Sequence, residues 1–519
     1  MKSPASVAQT AEHAGQSDSA GRSVALLLLV LAIVLVHAMG LRPGHEWSDD
    51  YAMYVSHAFN LISGRSYGDT GYIPNPWGVP GPATYPPVYP LLIVPLVATW
   101  GADLQMLKLF GLLMLAAALV TGYALMRPRI GTTAALAGVA LFGLNPFFLD
   151  FRDEIRPDTS FLFFFLLTLW IGERWSGQPQ TVDRTRIAQG LLLGIVAYLA
   201  YGTRSVGIVL LPALAVVELW RLRRLGPVLV TAALVWLSLA AAQALTLHSD
   251  ASYARLLTLD LHTLTYNATH YTSSLAMLFL NGLPAKPAFA LRALLFVLAS
   301  LLALAGYIAC LRRGLTVLEI VPWLYMLPLI VYWVGTMIQQ RYMLPLFPLY
   351  LYYAWVGLGV LRERMAPVWG ATMTWALALA LAVSYVTAWV KQAKTEIQPG
   401  VTTTAATQAF DWVREHTPAD AVVLVGRTRA FALYGQRRSV SPYGYRSDAE
   451  LSEMITRHGV THIVVGRGAL AKEMDYEHPD DLARFVSAHP QRLQAVLHNA
   501  ELDIYEVLPA RPGAEGEVK

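Results

Sequence analysis

The chain has 519 residues, of which 55% are hydrophobic and only 14% are charged. This composition excludes a purely soluble protein and indicates an integral membrane protein that carries a soluble part. The net charge of +4 is small, and we expect no nucleic-acid partner. The single cysteine, Cys310, excludes an intramolecular disulfide and a cysteine-based metal cluster.

Eleven apolar stretches are long enough to be membrane spans, and a polar tail over residues 1–21 precedes them. The tail is rich in Ala and Ser, and we expect it to be disordered and cytoplasmic. The predicted spans are about 22–41, 107–126, 131–149, 159–173, 187–202, 205–220, 227–246, 287–310, 316–338, 342–361 and 367–389. Together they predict an α-helical polytopic membrane domain over 22–390.

A further apolar stretch, residues 85–100, is interpreted as a segment that does not cross the membrane. It contains four prolines, each of which removes a backbone hydrogen-bond donor. Only if it does not cross do the arginine-rich loops all lie on the side of the N-terminus, as the positive-inside rule requires. The first outer loop then covers 42–106. The N-terminus is cytoplasmic, and everything after about 390 lies outside.

Residues 400–519 change in character and predict a small α/β domain on the outer side of the membrane. Apolar strands alternate there with amphipathic helices: strands 421–425 and 461–465, a hairpin over 493–508, and helices 403–416 and 447–458. The second helix opens with a capping box of Ser447 and Glu450. No residue of this domain has a chemical signature, so the sequence assigns none of them to a site.

Ionisable residues cluster at the predicted outer ends of the spans, where an ordinary helix bundle avoids them. Two carboxylates, Asp49 and Asp50, lie just beyond the first span. The others belong to later outer loops: Arg152, Asp153, Glu154, Arg156, Asp158, Arg204 and Arg341. Because they come from separate loops on one membrane face, we predict a polar cavity that opens to the outer side.

Such a cavity suits the displacement of a lipid-linked phosphate. An arginine presents a planar fork that binds phosphate oxygens and stays charged. Neutralising a leaving phosphate favours cleavage of the C–O bond. Two adjacent carboxylates repel each other, so one of them can accept the proton of an attacking hydroxyl. The lipid tail would lie along the spans.

Each of these residues also has a structural interpretation. Arginines at an outer face can extend to lipid headgroups, which is the alternative for Arg152. Asp49 or Asp50 could cap the helix that follows them. Asp153 and Glu154 could pair with neighbouring arginines. The sequence contains no HExxH motif and no histidine cluster, so it does not predict a tight metal site. We expect no cofactor, and the alternative that stays open is Mg²⁺ held by carboxylates.

The order of these motifs resembles that of the GT-C class of lipid-phosphosugar-dependent glycosyltransferases. It is most similar to the protein O-mannosyltransferases and lipid A aminoarabinose transferases of glycosyltransferase family 39. The resemblance covers about 22–390 and rests on these motifs: Asp49-Asp50-Tyr51-Ala52-Met53-Tyr54 with Ala58 and Gly64, Tyr85-Pro86-Pro87-Val88-Tyr89-Pro90-Leu91, Arg156-Pro157-Asp158, Thr203-Arg204, and Arg341-Tyr342-Met343-Leu344-Pro345 with Pro348. A C-terminal α/β domain is also typical of bacterial relatives.

The resemblance implies transfer of a sugar with inversion and without a nucleotide in the active site. It implies that Asp49 is the catalytic base. Asp50, where the family usually has Glu, and Asp158 are implied to orient the acceptor or balance the charge of the cavity. The residues implied at the donor phosphate are Arg204, Arg341 and Tyr342, and the further candidates are Arg152 and Arg156.

The sequence therefore predicts a membrane glycosyltransferase that moves a sugar from a polyprenyl-phosphate donor. The acceptor is a lipid, glycan or protein at the outer face of a bacterial cytoplasmic membrane. The alternative is a polytopic transporter or flippase, which predicts internal repeats and broken helices at the bilayer midplane. A scaffold and another lipid-linked group transfer are further interpretations. Residues 247–286, which contain several Tyr and His, are predicted to form an outer loop that acts as a lid or acceptor surface.

Overall fold

A computed structural model describes residues 4–74, 81–175, 182–247, 257–280, 289–331, 340–364, 396–445, 447–474 and 481–509. Between 365 and 395 it describes residues 372, 379, 385, 386 and 388–390. Asp49 is described by its backbone alone.

The N-terminal part of the chain, up to residue 364, is almost entirely helical. Its α-helices are α1 (Pro4–Ala38), α2 (Asp49–Ser63), α3 (Val88–Trp100), α4 (Leu104–Ile130), α5 (Thr132–Gly143), α6 (Phe148–Phe151), α7 (Asp158–Trp175), α8 (Arg184–Thr203), α9 (Leu210–Leu222), α10 (Pro227–Thr246), α11 (Leu261–Leu280), α12 (Phe289–Arg313), α13 (Val317–Val331) and α14 (Phe347–Arg362). Short 3-10 helices lie at Pro82–Thr84, Ser205–Val209 and Gln340–Met343.

Each of the first ten predicted spans overlaps at least one of these helices, whereas the eleventh, 367–389, lies largely outside the described residues. Five helical stretches among the described residues are long and apolar enough to cross a membrane: Gly21–Ala38, Leu104–Ile130, Ser205–Leu222, Pro227–Thr246 and Ala293–Arg313. The helices α3, α5 and α13 are apolar but shorter.

The predicted outer loop 247–286 contains a helix that the sequence analysis does not predict, α11, over residues 261–280. This helix is rich in threonine, a residue that often favours turns. Here the hydroxyls of Thr265, Thr269 and Thr272 each donate to the carbonyl four residues earlier, at 2.7–2.8 Å. Because the helix itself satisfies these polar groups, its composition does not prevent it from forming.

Helices α12 and α14 cross at two glycines, Gly306 and Gly357. A Cβ added to Gly306 would lie 1.9 Å from the Tyr353 carbonyl oxygen, and one added to Gly357 would lie 1.9 Å from that of Leu302. No side chain fits at either position. The two backbones therefore touch directly, as small residues allow in membrane helix pairs.

We expect Gly357→Ala to push α12 and α14 apart and to lower the free energy of unfolding by about 1–3 kcal/mol or more. The matched control is Gly359→Ala on the same helix, where an added Cβ meets nothing within 4 Å. That change should be neutral or stabilise by up to about 1 kcal/mol, because alanine is a better helix former. Thermal unfolding of both variants in one detergent measures the difference, and equal midpoints would contradict the close crossing.

The C-terminal part of the chain combines a sheet with helices. Its elements are α15 (Thr404–His416), β2 (Val422–Leu424), α16 (Thr428–Gly435), β3 (Arg438–Val440), α17 (Asp448–His458), β4 (His462–Gly466), α18 (Ala469–Met474), α19 (Asp481–Ala488), β5 (Leu493–His498) and β6 (Leu502–Val507). The predicted strands and hairpin are present, and Ser447 and Glu450 form the predicted capping box.

The sheet also includes a strand from the 42–106 loop. This strand, β1 (Tyr72–Ile73), pairs in parallel with β3, and the strand order is β1-β3-β2-β4-β6-β5. The amide of Ser439 donates to the Gly71 carbonyl at 2.9 Å beside this pair. The 42–106 loop and the C-terminal part of the chain are therefore joined by backbone hydrogen bonds.

The two faces of the sheet have different coverings. One face packs against α17 and α19 in an apolar cluster that includes Leu451, Ile455 and Phe485. The other face shares its core with the 42–106 loop, where Trp47 and Tyr51 are fully buried in one cluster with Phe410, Val423 and Phe431. This shared core fixes α2, and hence its first residues, against the C-terminal part.

Candidate active site

Five charged side chains from distant parts of the sequence form one continuous chain of ion pairs. Arg204 Nη2 lies 3.1 Å from Asp158 Oδ1, and Asp158 Oδ2 lies 3.9 Å from Arg341 Nη1. Arg341 Nη2 lies 3.5 Å from Asp50 Oδ2, and Asp50 Oδ1 lies 3.5 Å from Arg429 Nη1. We call this group the ion-pair chain. It alternates in sign and carries three positive and two negative charges, so it favours an added anion.

Helix ends position four of these side chains. Asp158 is the first residue of α7, where the partial positive charge of a helix N-terminus favours a carboxylate. Arg204 follows the last residue of α8, where a cation is favoured. Asp50 lies in the first turn of α2, and Arg341 lies in the 3-10 helix Gln340–Met343. The predicted residues Asp50, Asp158, Arg204 and Arg341 are thus brought together.

Tyr342 supports the arginines through the face of its ring. The guanidinium carbons of Arg204 and Arg341 lie 5.2 Å and 5.3 Å from the ring centroid, within the range of a cation–π interaction. The backbone of Tyr342 is held by Tyr325, whose hydroxyl donates a hydrogen bond to the Tyr342 carbonyl at 2.9 Å. The ring of Tyr342 therefore orients the two guanidinium groups.

Each of these two arginines keeps one buried donor for a ligand. The Nε atoms of Arg204 and Arg341 are buried and have no hydrogen-bond partner among the described residues. A buried donor without an acceptor is costly, and an oxyanion such as phosphate would supply acceptors to both.

Asp50 is held at both oxygens. Oδ1 accepts a hydrogen bond from the Tyr85 hydroxyl at 2.9 Å and faces Arg429, while Oδ2 faces Arg341. Burial raises the pKa of Asp50, but the positive charges of Arg341, Arg156 and Arg429 outweigh it, and the resulting pKa lies well below the usual range. The residue before α2 is Ser48, so Asp50 does not cap the helix.

Asp49, the predicted base, is the first residue of α2, directly before Asp50. Its side chain lies outside the described residues. The backbone alone places it at the same end of α2 as the ion-pair chain.

Arg156 lies at the edge of the ion-pair chain. Its Nε is 2.5 Å from Glu154 Oε2, and one Nη is 3.6 Å from Glu46 Oε1. Burial and the negative charge of Glu154 raise the pKa of Glu46 to about 7. Near neutral pH, Glu46 therefore carries only part of a negative charge, and the Arg156 side of the site becomes more positive as the pH falls.

Arg152 is not brought into the ion-pair chain. Its guanidinium packs against Gly40, where an added Cβ would lie 2.4 Å from both Nη atoms, and stacks over Trp389 at 5.5 Å.

Among the described residues, Asp153 does not pair with the neighbouring arginines but with more distant residues, 2.7 Å from Arg42 Nε and 3.4 Å from Lys108 Nζ. The contact with Lys108 joins the residues after α6 to α4, and the contact with Arg42 joins them to the segment after α1. Glu154 does pair with the neighbouring Arg156, as the structural interpretation predicts.

His45 is buried as a neutral ring beside the site. Its Nδ1–H donates to the Glu46 carbonyl at 2.9 Å, and its Nε2 accepts from the Ile155 amide at 3.2 Å. The ring packs on that of Tyr51 with centroids 4.0 Å apart. Burial lowers the pKa of His45 from 6.5 to about 3.

We expect acid to destabilise the protein through His45. Because the folded-state pKa lies below the unfolded value of 6.5, the unfolded state takes up the proton first. The contribution of neutral His45 to the free energy of unfolding is fully present above pH 6.5. It decreases by about 1.4 kcal/mol per pH unit as the pH falls toward 3. The change His45→Gln removes one titrating group. The slope of the unfolding free energy against pH should therefore decrease by about 1.4 kcal/mol per pH unit, which corresponds to one proton. An unchanged slope would show that His45 is already protonated in the fold.

Sequence reasoning missed two members of this site. Tyr85 was part of a motif but had no role assigned, and Arg429 was not singled out at all. Nothing in the local sequence around Arg429 distinguishes it from any arginine on an amphipathic helix. Its contact with Asp50 exists only because the C-terminal part folds onto the 42–106 loop.

Comparisons with solved structures find the same architecture. The AglB oligosaccharyltransferase of Archaeoglobus fulgidus, in complex with an inhibitory peptide and a dolichol-phosphate, is 13% identical and superposes with a TM-score of 0.57 over 86% of this chain and 69% of that one. ArnT of Cupriavidus metallidurans bound to undecaprenyl phosphate is 14% identical, with a TM-score of 0.55 over 92% and 97% of the two chains. These proteins are GT-C glycosyltransferases. The chain has the GT-C fold.

A third protein with the GT-C fold, the arabinofuranosyltransferase AftD from Mycobacteria, is 14% identical, with a TM-score of 0.53 over 94% of this chain and 42% of that one. AglB has also been solved in complex with Zn and sulfate. No protein-family model matches the sequence, and no curated protein matches it. At these identities the similarity establishes the fold and leaves the activity to be argued from the site.

Proposed function

We propose that the protein is a membrane glycosyltransferase that transfers a sugar from a polyprenyl-phosphate donor to an acceptor. The observation that carries this proposal is the pair of arginines, Arg204 and Arg341, that flank Asp158 and each keep a buried donor for an oxyanion. The solved AglB and ArnT structures that contain dolichol-phosphate and undecaprenyl phosphate support the choice of donor.

In the proposed reaction, the acceptor oxygen attacks the anomeric carbon of the sugar. The bond from that carbon to the phosphate oxygen breaks, and its electron pair stays on the phosphate. Arg204 and Arg341 stabilise the charge that develops there. Asp49 takes the proton of the acceptor hydroxyl. Asp50 and Asp158 keep the arginines in place, and the sugar is transferred with inversion.

A place for the lipid tail is available between the helices. An apolar cavity of about 340 Å³ lies between α4, α5 and α14, with Leu119, Phe142 and Leu351 in its lining. Pro348, near its α14 end, lies seven residues after Arg341 in the chain. We propose this cavity for the polyprenyl chain, with the end at Pro348 toward the phosphate.

The proposed setting is a multi-pass protein of a bacterial cytoplasmic membrane. Eleven spans over 22–390 would place the N-terminus in the cytoplasm and the region 400–519 outside, together with the 42–106 loop. The pairing of β1 with β3 supports this topology, because it requires both parts to be on one side of the membrane.

The ion-pair chain fits a reaction in which arginines supply the positive charge. Arg341 lies between Asp50 and Asp158, where a cation shared by the two carboxylates would have to sit. The described residues also contain no group of three or more His, Cys, Asp or Glu that could hold a metal ion. The proposed reaction uses no divalent cation, and a cation held by carboxylates stays the open alternative.

A panel of polyprenyl phosphates that carry different radiolabelled sugars tests the proposal. The purified protein in nanodiscs is given each donor with candidate lipid, glycan and protein acceptors, and release or transfer of the labelled sugar is measured. Turnover with one donor identifies the sugar. The transporter alternative is tested in proteoliposomes, where movement of the intact donor lipid between leaflets without release of the sugar would overturn the proposal.

A further inference from the structure

The last member of the ion-pair chain comes from the C-terminal part of the chain. Arg429, in α16, has a side chain that is only 2% exposed, and its Nη1 lies 3.5 Å from Asp50 Oδ1. The same atom donates a hydrogen bond to the Tyr85 hydroxyl, which in turn donates to Asp50. Arg429 thus reaches Asp50 both directly and through Tyr85.

The guanidinium of Arg429 is held in a fixed orientation by two aromatic rings. Its central carbon lies 5.0 Å from the ring centroid of Tyr72 and 5.3 Å from that of Tyr85. Tyr72 belongs to β1, the strand that pairs with β3. Backbone pairing between the 42–106 loop and the C-terminal part therefore helps to place the rings against which Arg429 packs.

Asp50 divides its single negative charge between two arginines. Arg341 contacts Oδ2, and Arg429 contacts Oδ1. If Arg429 were absent, Asp50 would turn its charge toward Arg341 and hold that guanidinium more tightly. Arg341 would then be less available to a phosphate, because a guanidinium already neutralised by a carboxylate stabilises a second anion less well.

We propose that Arg429 is a positioning residue of the transfer site, which holds Asp50 and Tyr85 so that Arg341 stays free to bind the donor phosphate. This inference rests on the proposed function. It assigns the C-terminal part a role within the reaction site, in addition to any contact with the acceptor.

Variants of Arg429 test the inference in the full-length protein. We expect Arg429→Gln to lower kcat by about 10- to 100-fold, the loss that a small misplacement of reacting groups causes. The kcat of Arg429→Lys should lie between those of Arg429→Gln and the original protein. Arg437→Gln is the matched control, since Arg437 makes its hydrogen bonds to Arg414, Thr417 and Gln436 within the C-terminal part. Its rate should stay within about twofold of the original protein.

Binding of the donor lipid separates positioning from a merely structural role. Asp50 faces Arg341, Arg156, Arg429 and the Tyr85 hydroxyl. Without Arg429, Asp50 holds Arg341 more tightly, so folded Arg429→Gln should bind undecaprenyl phosphate more weakly than the original protein does. If the variant only loses folded protein, the remaining fraction keeps the original kcat and donor affinity, and the inference is overturned.

A double-mutant cycle provides a readout that does not depend on turnover. The unfolding free energies of Arg429→Gln, Asp50→Asn and the double variant give the coupling between the two side chains, and additive losses would overturn the contact. If the original protein transfers no sugar from any donor, the proposed function fails, and the positioning role fails with it. If it transfers sugar and Arg429→Gln does so equally well, only this inference fails.

Discussion

Replacing Arg341 by glutamine will reduce sugar transfer by about a thousandfold or more in kcat/KM, the loss that follows removal of a principal charge donor at a reacting oxyanion. Arg341 contacts both Asp50 and Asp158 and stacks on Tyr342. Glutamine keeps a similar length but lacks the charge and the planar fork. Binding of polyprenyl phosphate itself should weaken in parallel, because the same guanidinium holds the phosphate before and after transfer.

The change also removes the positive charge between Asp50 and the buried Asp158. Asp158 is 3% exposed, and among the described residues it keeps Arg204 alone as a close ion-pair partner. Breaking a buried ion pair from one side costs about 3–5 kcal/mol, so Arg341→Gln should unfold at a lower temperature. Arg362→Gln, at the exposed end of α14, is the control and should change neither activity nor stability. Full activity in Arg341→Gln would remove the basis of the proposed function.

Replacing Asp49 by asparagine should lower kcat by about 10²- to 10⁴-fold, the usual contribution of a general base, while binding of the donor survives. The neighbouring carboxylate is poorly suited to this role. The pKa of Asp50 lies far below the working pH, and both of its oxygens already have partners. A good base has a pKa near the operating pH and a free lone pair.

The comparison of Asp49→Asn with Asp50→Asn measures this division of roles. Asp49→Asn should retain the unfolding temperature of the original protein, since the change is isosteric at a helix start. Asp50→Asn should lower it, because two buried arginines lose a partner. Initial rates with labelled donor, together with equilibrium binding of the donor lipid, distinguish the two. Normal transfer by Asp49→Asn would assign the base elsewhere.

Much of the site could be predicted because its residues lie at helix ends. Apolar stretches locate the spans, and the positive-inside rule assigns each loop to a side, so Asp50, Asp158, Arg204 and Arg341 could be placed on one face before their contacts were known. The direction in which each side chain points could not be predicted. Arg152 and Arg156 have similar surroundings in sequence, yet the Arg152 guanidinium stacks over the Trp389 ring and Arg156 lies beside the ion-pair chain.

The contribution of the C-terminal part could not be predicted for a different reason. Local periodicity predicts β2, β4, the β5–β6 hairpin, α15 and α17, but not β3, α16, α18 or α19. The docking of this part on the 42–106 loop depends on the shape of a shared core. Neither Tyr72 nor Arg429 carries a local signal of that packing. The helix α11 was missed because threonine hydroxyls that bond within the helix look in the sequence like exposed polar groups.

The pairing of β1 with β3 has a consequence for the order of events during synthesis. A ribosome that has produced α1 to α14 has already made Asp49, Asp50, Asp158, Arg204 and Arg341, but β1 has no neighbour until residue 438 has been added. Insertion into the membrane therefore precedes completion of the site. A prematurely terminated chain would retain the arginines for the lipid phosphate without Arg429, which comes from the last quarter of the sequence.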